Sequence, residues 1–151
     1  MLSFLFCTDT GSACYGELRP VEIDQATPDG WTGRHASERA NGQAPQTAWS
    51  RSAWTMEPRP SNDRLSFLAI TLRERAIATW ITYQPHIIKG EEWKVIHKVI
   101  DFVDDTNRPD MATASDNEVI AYLTLLNELR TSLENIRLAL DIRHEVKEKS
   151  A

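Results

Sequence analysis

The sequence predicts a mainly α fold: a three-helix core at about 62–83, 91–105 and 115–148, with an irregular N-terminal arm holding one or two short β-strands. Three observations lead there. Val119, Tyr122, Leu126, Leu129, Leu133, Ile136 and Leu140 recur at three- and four-residue steps, one apolar stripe on a long helix. Trp93, Ile96, Val99 or Ile100, and Val103 repeat that spacing on a shorter one. Composition changes near residue 60, with five glycines and five prolines up to Pro60 and one and two after it. The chain of 151 residues is expected to form a single domain, with arm 1–60 packed on 61–151.

In chain order, Leu2 to Cys7 is short, aromatic-rich and followed by a Thr-Asp-Thr-Gly turn signal, which reads as a strand or a buried extended segment. Glu17 to Gln25, with Leu18, Val21 and Ile23, is a candidate second strand after Pro20, and if both are strands they can pair antiparallel across the Asp9–Gly16 turn region. Two strands are marginal alone in water, so the hairpin must dock on the helices. From Ala26 to Asn62 no period holds, and Pro28-Asp29-Gly30 and Asn41-Gly42 are turn chemistry. Trp31, Trp49 and Trp54 argue against plain disorder there. They serve either as pins fixing the arm to the helices or as exposed anchors for a partner.

Arg64 to Tyr83 reads as a helix or as a hairpin of two strands. Its middle, Arg73-Glu74-Arg75-Ala76, has no Gly, Asn, Asp or Pro for a turn, which favours the helix, with Ser61 or Asn62 as cap and Pro85 as stop. Glu91 and Glu92 suit the positive end of the next helix. Ser115 and Glu118 stand in a capping-box relation at the start of the last.

The last helix is about 50 Å long, against about 33 Å and 22 Å for the others. Antiparallel packing through short connections sets the middle helix against residues 116 to about 131. Leu133, Ile136, Leu140, Ile142 and Val146 then need cover from the arm or from a second protomer, and Leu133, Ile136 and Leu140 are the expected homodimer contact.

The net charge of −5 comes from 17 basic and 22 acidic residues scattered among one another. Neither a nucleic-acid footprint nor a membrane-binding patch stands out. Cys7 and Cys14 match no zinc or redox spacing and read as reduced thiols. Met1 to Cys7 lacks the charge and length of a secretion signal, and no run reaches the ~20 apolar residues of a membrane span. The chain reads as soluble and cytoplasmic.

No nucleotide, nucleophile or metal motif has its spacing intact, and no cofactor is implied. The nearest approach is His97 with Asp101 four residues on and Asp105 beyond, which can bind a divalent metal or orient a general base. His86 adds a ligand if its link folds back, and a solvated helix face is the plainer reading. His144 is ordinary helix-end electrostatics. The leading functional expectation is a non-catalytic protein–protein interaction protein of inhibitor, immunity or adaptor type, its partner surface at Trp49, Arg51 and Trp54. The alternatives are a metal-assisted hydrolase at the His/Asp cluster and a structural subunit packed through the long helix.

Overall fold

The computed structural model describes residues 1–37, 45–87, 90–103 and 108–149. Among the described residues five strands precede three helices: β1 (Leu2–Cys7), β2 (Leu18–Thr27), β3 (Gly30–His35), β4 (Thr47–Ser50), β5 (Trp54–Glu57), α1 (Asn62–Ile87), α2 (Glu92–Phe102) and α3 (Asp116–Lys149). The chain forms two compact units, residues 1–62 with 109–127 and residues 63–108 with 128–151.

In the first unit the strands form one antiparallel sheet in the order β4-β3-β2-β1-β5. The expected pairing of the first two strands is present, with Phe4 opposite Pro20 and Phe6 opposite Leu18. The N-terminal region is more regular than an irregular arm with one or two strands: β3, β4 and β5 fall inside the stretch where no period holds. Two of them are only four residues long, too short to show alternation. The third contains Gly30 and Gly33, where a Cβ would strike the carbonyls of Trp49 and Glu22, so glycine is required for the strands to approach.

The sheet curls. Its two edge strands are joined by Arg51-Ser52-Ala53 alone. Four inter-strand spacings in a flat sheet would part the edges by about 19 Å. The four steps from Ser50 to Trp54 reach at most about 14 Å. Leu5, Cys7, Val21, Trp31, Trp49 and Trp54 form one hydrophobic cluster in this sheet, with Cys14, Ile23 and Ala53 packed against it. Phe4 and Leu18, on alternate positions of β1 and β2, are buried as well. The start of α3 adds Val119, Tyr122, Leu123 and Leu126 to the unit's core, and Asn127 Nδ2 donates to the Leu18 carbonyl at 3.1 Å. Arg59 fixes the helix entry through Asp116 Oδ1 at 2.6 Å and the Ala114 carbonyl at 3.0 Å.

The expected capping box is made: Ser115 Oγ accepts the Glu118 N–H at 3.2 Å, and Glu118 Oε2 accepts the Ser115 N–H at 3.4 Å. Residues 64–83 are helical, as the missing turn residues imply. The helix nevertheless runs past Pro85 to Ile87. Proline removes one hydrogen bond in this last turn, and the fully buried Ile87 side chain holds the turn in place. Asn62 starts α1, and its side chain ties down the loop before α3, accepting the Met111 N–H at 2.7 Å and donating to Asp110 Oδ1 at 3.1 Å.

The second unit packs α1, α2 and the rest of α3 around Leu65, Leu68, Leu72, Ile96, Val99, Leu133 and Leu140. The middle helix does not lie where the helix lengths place it. Glu92, at the start of α2, bonds Arg143, so α2 lies beside the carboxyl-terminal part of α3 rather than against 116–131. The sequence 103–115 between these helices is long enough for that offset. α1 runs parallel to α3, with Arg75 meeting Glu134 and His86 meeting His144. Leu133 and Leu140 are therefore covered within the chain, and of the expected homodimer residues only Ile136 stays half-buried.

Candidate functional site

The sequence-derived partner surface lies in the sheet. Trp49 is 2% exposed and Trp54 9%, so both indoles are core. His35 meets Trp49 edge-on at 5.4 Å. Arg19 lies over Trp54 at 4.9 Å, and its Nε reaches Glu17 Oε2 at 2.9 Å. Arg51 is exposed, but it is anchored: its guanidinium sits 4.3 Å from the Trp31 centroid while Nε and Nη2 donate to the Thr27 carbonyl at 3.2 and 3.0 Å. Register and curl bring these side chains together to close a core, with Arg51 acting as a clasp over its rim.

The metal candidate divides. His97 on α2 stands edge-on to Trp80 at 4.9 Å and to Trp93 at 6.1 Å, placing its ring among aromatics. Asp101 is exposed, and Asp105 lies outside the described residues. Among the described residues no group of three or more His, Cys, Asp or Glu side chains is placed to hold a metal ion.

A polar grouping joins α1 and α3 in the helical unit. Glu134 accepts from Arg137 Nη2 at 2.5 Å and Nε at 3.4 Å, and from Arg75 Nη2 at 3.2 Å. Arg137 also reaches Asp141 at 2.9 Å. The Arg137 hydrogen bonds, and then the charges of Arg137 and Arg75, hold the Glu134 carboxyl below the usual carboxylate range. An open cleft of about 260 Å³ adjoins it, lined by Thr79, Thr82, Tyr83 and Leu133 together with these arginines. Both arginines are already engaged by carboxylates, so the cleft is a structural seam. At the start of α2 the Glu92 carboxyl is likewise held low, first by its own backbone N–H and then by Arg143.

No known family, characterised protein or solved structure matches the chain. Any functional reading therefore rests on its own residues.

Two features escaped the sequence. At the end of α1, His86 Nε2 comes within 3.5 Å of His144 Nδ1, a pair 58 residues apart that no local spacing reveals. On the outer side of α1, Phe67, Ile70 and Ile81 are exposed. Their spacing at 67, 70, 74, 77 and 81 was available, but the inner stripe of leucines masked it. Arg130 on α3 is 5% exposed, a charged side chain in the interior. Among the described residues no helix is long and apolar enough to cross a membrane.

Proposed function

We propose that this chain is a non-catalytic protein–protein interaction protein of the inhibitor, immunity or adaptor kind, working in the cytoplasm, and that its partner docks on α1 rather than on the sheet tryptophans. One observation carries the reading. Phe67 is 60% exposed, Ile70 43% and Ile81 69%, opposite the leucine face that α1 buries. With half-buried Ile77 they make a line of four turns, about 21 Å long. Burying side chains of this size is worth roughly 1.5–3 kcal/mol each. A line of helical pitch and this length fits an amphipathic helix of another protein, read at three- and four-residue steps. Exposed Glu74 in its middle selects a basic residue opposite.

The test is co-purification with wild-type chain and with a Phe67→Ser, Ile81→Ser variant, followed by titration of the recovered, purified partner. Serine at these positions leaves helical circular dichroism and Tm unchanged and abolishes binding. A partner held equally well by both chains defeats the assignment to α1.

A second reading, the structural homo-oligomer, draws support from another line. Leu138, Ile142 and Val146 follow one another at four-residue steps on α3 and are 50%, 63% and 62% exposed. Light scattering at two concentrations separates the readings, since a strict monomer excludes self-assembly.

A further inference from the structure

Two imidazoles from helices remote in sequence meet at the carboxyl-terminal end of the helical unit. His86 Nε2 and His144 Nδ1 are 3.5 Å apart, and the rings stand at 84° with centroids 5.5 Å apart. On its other nitrogen, His144 Nε2 lies 3.1 Å from Glu148 Oε1, one turn further along α3. A carboxylate there keeps the ring proton on Nε2, which leaves the Nδ1 lone pair facing His86. Tyr83 flanks the same ring edge-on at 6.2 Å.

This is the arrangement in which a carboxylate orients a histidine for a metal. Two imidazole nitrogens bound to one tetrahedral ion at ~2.0–2.1 Å stand roughly 3.4 Å apart. The nitrogens here are already at that separation. His86 is half-buried and His144 is 48% exposed, so an ion enters directly from solvent.

We propose that His86 and His144 form a bis-imidazole site for a divalent first-row transition ion such as zinc, nickel or copper, with Glu148 as the positioning carboxylate. Water fills the remaining coordination positions, and two protein ligands set the affinity in the micromolar range. Imidazole pairs take copper most tightly, with nickel and zinc behind. Binding ties the last turn of α1 to α3 across 58 residues of chain.

Isothermal titration of the full chain with zinc chloride and with nickel chloride tests the site. The expected result is one saturable micromolar site per chain. His86→Ala and His144→Ala each weaken it at least about tenfold, and the pair of changes removes it. Glu148→Gln weakens it about tenfold while leaving the metal-free Tm in place. His35→Ala leaves binding intact. A second measurement needs no variant: zinc added to the wild-type chain shifts the imidazole NMR signals of two of its four histidines, His86 and His144. Absence of saturable binding below millimolar metal overturns the proposal. So does binding that survives the double substitution, or signal shifts at His35 or His97 instead.

Discussion

Trp31 and Trp49 stand directly opposite each other on β3 and β4, and both indoles are buried in the core of the curled sheet. Cross-strand aromatic pairing of this kind fixes the register of two strands that have little else to define it. Trp49→Ala therefore costs about 3–5 kcal/mol, as for other large-to-small changes in a core. Phe67→Ala, on the exposed face of α1, stays within about 0.5 kcal/mol. Urea melts of the two variants decide the matter, and a Trp49→Ala protein as stable as wild type would mean the sheet core is not built around these rings.

Close approach of β2 and β3 makes Gly33 irreplaceable. A methyl group there collides with the Glu22 carbonyl, so Gly33→Ala forces the strands apart and destabilises by roughly 1–3 kcal/mol. Gly11→Ala is the matched control, because its Cβ would meet only Asp9 Oδ1 at 3.5 Å, an ordinary contact. Equal melting temperatures for the two variants would contradict the described register.

Acid should act through Glu134. Its folded pKa is depressed by Arg137 and Arg75, so its contribution is complete above the ordinary carboxyl pKa, about 4.5, and disappears as pH falls through the lower folded value. Glu134→Gln removes about 1–2 kcal/mol near neutrality. The difference in Tm between wild type and variant then shrinks below about pH 4.5. A gap that holds constant from neutral pH down to pH 3 would rule out this linkage.

The two thiols should separate kinetically. Burial pushes the Cys7 thiol up from its ordinary range, whereas Cys14 is half-buried with Arg19 Nη2 3.0 Å from its sulfur. Folded protein treated with an aromatic disulfide reagent releases one fast equivalent, which Cys14→Ser eliminates. Cys7 reacts only on unfolding. Identical rates for both cysteines in the folded state would show that the cluster does not shield Cys7.

The helices were legible because each carries a repeated local signal. Val119 to Leu140 keeps its stripe through several turns, and Ser115 with Glu118 writes the start of α3 in four residues. The sheet was legible only in part: β1 shows as an aromatic-rich run before a turn signal and β2 through Leu18, Val21 and Ile23, whereas β3 carries two glycines and β4 and β5 are four residues each. The tryptophans announced burial but not their common destination, which depends on a strand order that brings β5 back beside β1. Helix lengths alone misplaced α2, because the connection 103–115 permits several offsets and the Glu92–Arg143 bond selects one. The histidine pair was invisible for a related reason: His86 and His144 become neighbours only once α1 and α3 lie parallel.

The brevity of β4 and β5 has a protective side. They are the outer strands of the sheet, and each exposes only a few open backbone groups to a passing chain. So small a template resists strand addition, which shields the native protein from stacking into cross-β fibrils and confines that hazard to molecules that have already come apart.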